Sequence, residues 1–144
     1  MFRRVYDAEL LNLSGMKTRP EHIVIIKGTE LHRFPLDALI CISADGNYSY
    51  VMTVDGRETL ICLQLGQVET LMARQLGAGI TNFIRLGRGL IINLDYINHI
   101  DISRQIIIMS DCRRIRKEFS ASREALIKLK ELVEHSLNSN SNEQ

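Results

Sequence analysis

Two Asp-Gly pairs, each set between short runs of strand-forming residues, constrain the fold of this chain most strongly. Asp45-Gly46 and Asp55-Gly56 are flanked by segments rich in β-branched, aromatic and other apolar side chains. An Asp-Gly pair supplies the positive φ angle that a tight hairpin turn needs. Residues 38–63 are therefore predicted to form a three-stranded antiparallel meander.

The rest of the chain adds more short strands and two helices. Apolar residues recur at helical spacing over residues 65–76, and Gly77 ends that pattern. A last helix is predicted over residues 121–137, with Ser120 or Ser122 as its N-cap. The predicted fold class is α+β, mostly β with two helices. Further strands are predicted at residues 22–27, 31–34, 83–86, 90–94, 97–102, 106–110 and 115–119.

The length of 144 residues suits one domain with a segment on either side. Residues 1–20 are predicted to form an N-terminal extension with a weak helical pattern, and residues 21–137 the domain. Residues 138–144 are polar and of low complexity, which predicts a disordered tail. The N-terminus has no signal-peptide core, and no apolar run approaches the roughly 18 residues that span a bilayer. A cytoplasmic protein without a membrane partner is expected.

Charge is unevenly distributed along the chain. The formal net charge is only +1, but residues 104–130 contain eight basic and three acidic side chains. A basic segment on a nearly neutral protein favours a local anionic partner, such as nucleic acid or a lipid surface. The alternative interpretation is a charged hairpin that is simply solvated.

The sequence contains no pattern typical of catalysis. Its four histidines form no HExxH motif, and no nucleophile-elbow motif surrounds a serine. Gly87-Arg88-Gly89 lacks the Lys-Ser/Thr pair that completes a phosphate-binding loop. Cys41 and Cys62 lie in apolar runs and are predicted core residues, and no CxxC pair indicates zinc. We therefore predict a protein that is not an enzyme and needs no cofactor or metal.

Several motifs occur in the order found in one known protein family. The most specific is Phe-Ile-Arg-Leu-Gly-Arg-Gly-Leu-Ile-Ile-Asn at residues 83–93, which is similar to Phe-x-Arg-Ile-His-Arg-Ser-x-x-Val-Asn. Ile-Cys-Ile-Ser-Ala-Asp-Gly-Asn-Tyr at residues 40–48 is similar to a segment ending in Glu-Ala-x-x-Asn-Tyr. Ser122-Arg123 then opens a helix. With these landmarks, residues 22–132 resemble the LytTR family of bacterial DNA-binding domains.

The resemblance implies an elongated stack of small antiparallel β-sheets and a function in transcription regulation. Such domains place edge loops in successive grooves of double-stranded DNA, commonly at paired repeats. Many of them follow a receiver domain. Only about twenty residues precede the domain here, so we expect a stand-alone regulator.

Five residues match DNA-facing positions of the family. An arginine such as Arg88 can pair bidentately with guanine or with a phosphate. Arg85 is expected either to bind phosphate or to brace the loop through an internal salt bridge. Asn47 and Tyr48 follow the first Asp-Gly turn, where Asn47 suits adenine recognition or turn chemistry. Arg123 suits a phosphate shared with the first turn of the last helix, or a surface charge.

The chain departs from the family pattern in its reading loop. Gly87 and Gly89 replace the family histidine and serine, which removes two polar groups but gives the backbone unusual freedom. An alternative function is therefore a protein-interaction module that pairs with a full-length regulator of the same family. Residues 1–13 would supply the contact, either for that regulator or for self-association. If Arg88, Arg123 and the basic run 113–117 cluster on one edge, DNA binding is favoured over the protein-interaction module.

Overall fold

The computed structural model describes residues 22–77 and 82–142. Within these residues ten strands form three antiparallel sheets, and two α-helices complete the predicted α+β fold. The extension at residues 1–20, with the contact surface predicted for residues 1–13, lies outside the described residues. The elements are β1 His22–Lys27, β2 Glu30–Pro35, β3 Leu39–Asp45, β4 Tyr48–Thr53, β5 Glu58–Ile61, α1 Leu65–Leu76, β6 Phe83–Leu86, β7 Leu90–Asn93, β8 Ile97–Asp101, β9 Ile106–Ser110, β10 Arg116–Ser120 and α2 Arg123–Asn142.

The predicted meander is confirmed and forms part of a larger sheet. β3, β4 and β5 pair consecutively, and the turns between them contain Gly46 at φ +61° and Gly56 at φ +89°. The complete strand order is β5-β4-β3-β7-β6, so β7 pairs with the open edge of β3. The three-stranded meander and the β6–β7 hairpin, which are distant in sequence, thus share one five-stranded sheet.

This five-stranded sheet is buried on both faces. One face packs against α1 and the β1–β2 hairpin, in a cluster that includes Ile25, Val51 and Val68. The other face packs against the β10-β9-β8 sheet and α2, in a cluster that includes Met109 and Leu126. The result is a stack of small antiparallel sheets, as the family resemblance implies.

Two sequence predictions need correction. α2 continues through Asn142, so residues 138–142 are helical although they were expected to belong to a disordered tail. No glycine or proline follows Arg123 to end the helix. Cys62 is exposed, whereas Cys41 is buried as predicted. The strand β5 ends at Ile61, so Cys62 is not held on the inner face of the sheet.

Candidate nucleic-acid interface

The β3–β4 turn and the β6–β7 turn lie side by side at one end of the five-stranded sheet. β3 pairs antiparallel with β7, so the end of β3 meets the beginning of β7. The backbone N–H of Ala44 donates to the carbonyl oxygen of Gly89 at 2.9 Å. Asn47 and Tyr48 therefore share this end of the sheet with Arg88.

The start of α2 borders the same end. The β6–β7 turn, residues 87–89, and the link of residues 120–122 line a common cavity of about 350 Å³. Ser122 caps α2, since its Oγ accepts from the N–H of Ala125 at 3.2 Å. Arg123 follows this cap and is exposed. The fold thus places Arg88 and the residue before Arg123 beside one cavity, although the two arginines are 35 positions apart in sequence.

The Arg88 side chain is exposed at the tip of its turn. In the described part of the chain, no hydrogen bond or ion pair engages its guanidinium group. Gly87 has φ +66°, which confirms the need for glycine there, whereas Gly89 adopts no positive φ. No heavy atom described lies within 4 Å of the Cβ position at either glycine. The guanidinium is thus available for bidentate pairing with an acceptor.

Arg85 makes three hydrogen bonds inside the protein. Its Nε donates to the carbonyl oxygen of Gly87 at 3.0 Å, and its Nη2 donates to that of Arg88 at 2.8 Å. Its Nη1 donates to Oε1 of Glu69 at 2.9 Å. These contacts correspond to the bracing role that the sequence left open. Glu69 was not identified from the sequence, because no local motif links α1 with β6.

Asn47 is tied to the beginning of α1. Its Oδ1 accepts from Nε2 of Gln64 at 3.1 Å, which uses one acceptor site of the amide that was expected to face adenine. Gln64 is the N-cap of α1, and its backbone N–H donates to Oε1 of Gln67 at 2.9 Å. Tyr48 beside it is 47% exposed, so its ring faces solvent at the end of the sheet.

The basic run 113–117 lies at the opposite end, so it does not share one edge with Arg88 and Arg123, the arrangement that would have favoured DNA. The Ile115 side chain is 3.7 Å from the Cβ position at Gly56, in the β4–β5 turn, and Lys117 pairs with Glu58. That turn follows β4, whereas the β3–β4 turn precedes it. The physical reason is the direction of β10, which runs from the basic run towards α2.

The turn before β10 is closed around one carboxylate. Oδ1 of Asp111 accepts from the backbone N–H groups of Arg113, Arg114 and Ile115 at 3.0, 2.9 and 2.9 Å. These hydrogen bonds, led by those from Ile115 and Arg113, lower the pKa of Asp111 below its ordinary value. The carboxylate therefore stays ionised and holds the turn.

In residues 22–77 and 82–142, no group of three or more His, Cys, Asp or Glu side chains is placed to hold a metal ion. No helix in this part of the chain has the length and apolar character needed to cross a membrane.

Comparison with known proteins gives a consistent result. Residues 29–134 match the profile of the LytTr DNA-binding domain. A solved LytTr DNA-binding domain from Bacillus cereus superimposes with a TM-score of 0.55 at 16% sequence identity. The match covers 79% of this chain and 97% of that one, and it establishes similarity of fold. No curated protein sequence matches the chain significantly.

Proposed function

The chain belongs to the LytTr family of DNA-binding domains, which act in transcription regulation, and we propose that it recognises specific double-stranded DNA sequences. The reading surface would be the end of the sheet that carries the β3–β4 and β6–β7 turns. The observation that carries the proposal is that the exposed Arg88 lines a cavity at that end together with Ser122, the residue that precedes the exposed Arg123.

Each arginine has a distinct proposed role. Arg88, at the tip of a turn, pairs with O6 and N7 of a guanine in the major groove. Arg123 lies in the first turn of α2, where its side chain and the helix N-terminal N–H groups bind one phosphate. The phosphate contact positions the domain, and the base contact supplies sequence preference.

The remaining predicted residues support or extend this surface. Asn47 and Tyr48 contact the DNA beside Arg88, from the neighbouring turn. Arg85 holds the β6–β7 turn through the hydrogen bonds described above. We further propose that the domain is a monomer or weak dimer in solution and pairs on repeated sites. Residues 1–13 would then provide self-association or a contact with another regulator.

Arg57 offers a matched control for Arg88. It also follows a glycine in a hairpin turn, and its side chain is 82% exposed, but it lies at the opposite end of the sheet. Preferred sites would first be selected from a pool of random duplexes. Fluorescence anisotropy would then compare wild type, Arg88→Ala and Arg57→Ala on the selected site and on single-base-pair mismatches.

We expect Arg88→Ala to lose about tenfold or more of the discrimination at one base pair, because a bidentate base contact supplies that much. Arg57→Ala should retain it, and both variants should melt close to wild type. An equal loss of affinity for every duplex would indicate that Arg88 contacts a phosphate and not a base. Failure of wild type to bind any duplex at low salt would favour the protein-interaction module.

A further inference from the structure

We propose that Glu69 of α1 determines DNA specificity without touching the DNA. It would hold Arg85 in place as a brace for the β6–β7 turn and keep that guanidinium from binding phosphate. This inference rests on the proposed function, and it concerns a residue outside the set matched to the family's DNA-facing positions.

The first step is the effect of Arg85 on the turn. The Gly87 carbonyl belongs to the peptide group that precedes Arg88, and the Arg88 carbonyl belongs to the one that follows it. Arg85 binds both oxygens, at 3.0 and 2.8 Å. One rigid, planar guanidinium thereby sets the orientation of both peptide groups around Arg88 and so the direction of its side chain.

The second step is the need for an anion to hold Arg85. Its third donor group, Nη1, is 2.9 Å from Oε1 of Glu69. The Arg85 side chain is 26% exposed, so it lies at the margin of the surface proposed to bind DNA. Without Glu69, the guanidinium would carry an uncompensated charge close to phosphates, and binding them would draw it from the turn.

The third step is that the helix which carries Glu69 is itself firmly positioned, although the carboxylate is half exposed. Glu69 lies on α1 between Val68 and Met72, which are both buried against the five-stranded sheet. The N-cap of the same helix, Gln64, binds Asn47 in the β3–β4 turn. Gln64 and Glu69 are about 7.5 Å apart along the helix axis, from a rise of about 1.5 Å per residue. Through these two residues, α1 fixes the β3–β4 turn and the β6–β7 turn relative to one another.

A charge-removing variant separates this role from simple structural support. Glu69→Gln keeps the shape of the side chain but replaces the ion pair with Arg85 by, at most, a neutral hydrogen bond, so Arg85 is held more weakly. We expect about a tenfold loss of discrimination between the selected site and its mismatches, together with unchanged or tighter binding to non-specific duplex. The dependence of log affinity on log salt should steepen by up to about 0.9, the value of one additional phosphate contact. General destabilisation would weaken binding to all duplexes instead.

Glu58→Gln is the matched control. It makes the same change of charge and also weakens the hold on a basic partner, Lys117, but at the opposite end of the sheet. Arg85→Lys is a second test, since lysine keeps the charge but cannot hold two carbonyls and Glu69 in one plane. It should lose discrimination as Glu69→Gln does, while Glu58→Gln should resemble wild type.

The experiment measures anisotropy binding curves over a range of salt concentrations, with melting curves for every variant. If wild type discriminates and Glu69→Gln behaves as Glu58→Gln does, the inference about Glu69 is wrong and the proposed function stands. The same conclusion holds if Glu69→Gln loses discrimination only in proportion to a lower melting temperature and without a steeper salt dependence. Absence of wild-type binding would instead overturn the proposed function.

Discussion

The side-chain amide of Asn93 joins two strands inside the core: Nδ2 donates to the carbonyl oxygen of Leu39 at 2.8 Å. Its Oδ1 accepts from the backbone N–H of Asp95 at 3.0 Å, and the residue is only 2% exposed. Leu39 begins β3 and Asn93 ends β7, so both residues lie far from the β3–β4 and β6–β7 turns. A single polar side chain therefore satisfies backbone groups at the end of the sheet opposite the proposed interface.

Asn93→Ala should lower the free energy of unfolding by about 1–3 kcal/mol, because it leaves the Leu39 carbonyl and the Asp95 N–H without their partner. Urea denaturation monitored by circular dichroism measures this change. The fraction that remains folded should bind DNA as wild type does. A variant of unchanged stability would contradict the structural role assigned to this hydrogen bond.

Arg123 and the basic run 113–117 lie at opposite ends of the domain, so their removal should affect the salt dependence of DNA binding differently. Arg123→Ala should weaken binding equally on all duplexes and reduce the salt slope by about 0.9, as one lost phosphate contact predicts. Arg113→Ala combined with Arg114→Ala should change the slope less, despite removing two charges. β10, about 13 Å long, lies between these two arginines and the interface, and this length exceeds the Debye length of about 8 Å in physiological salt. Anisotropy titrations in salt would measure both slopes, and a larger effect from the double variant would show that DNA reaches the far end.

The three cysteines should differ in reactivity. Burial raises the pKa of Cys41 to about 12, so its thiol is protonated and shielded at neutral pH. Cys62 and Cys112 are exposed. Alkylation of the native protein followed by mass spectrometry should therefore add two labels, and denaturant should add a third. Rapid labelling of Cys41 in the native state would contradict its position in the core.

Stability should fall in acid, with a contribution from Asp111. Backbone hydrogen bonds, first that from Ile115, lower the pKa of this carboxyl in the folded state. Its stabilising effect is therefore complete above the unfolded-state pKa of about 3.9 and is lost as the pH falls through the lower, folded-state value. Thermal melts of wild type and Asp111→Asn should differ most near neutral pH and converge below the folded-state pKa. If the two melting temperatures differ by the same amount at every pH, the Asp111 carboxylate does not contribute to the pH dependence of stability.

Local features of the fold could be predicted because local chemistry determines them. The Asp-Gly turns, the helix ending at Gly77 and the cap at Ser122 each depend on a few adjacent residues. The pairing of β3 with β7 and the position of the basic run depend on how distant segments pack, and no local pattern encodes that. Cys62 illustrates the same limit, since an apolar run does not reveal where its strand ends.

The candidate interface was predictable to a similar extent. Arg88 and Arg123 were identified through motifs, and in the fold Arg88 lines the same cavity as Ser122, the residue before Arg123. The contact of Arg85 with Glu69 joins residues 16 positions apart on a helix and a strand that share no motif. Such a contact follows from tertiary packing, so the supporting residues of a recognition loop are harder to find than its tip.

Under the proposed function, the open space around Gly89 makes the β6–β7 turn a suitable place to change DNA specificity. No described heavy atom lies within 4 Å of a Cβ at that position, and its backbone lies in a region that other amino acids adopt. A combinatorial library at residue 89 could therefore sample the side chains of every amino acid except proline beside Arg88 without repacking the core. Selection of such a library against altered duplexes would change the DNA specificity through this one turn, while the sheets beneath it stay unchanged.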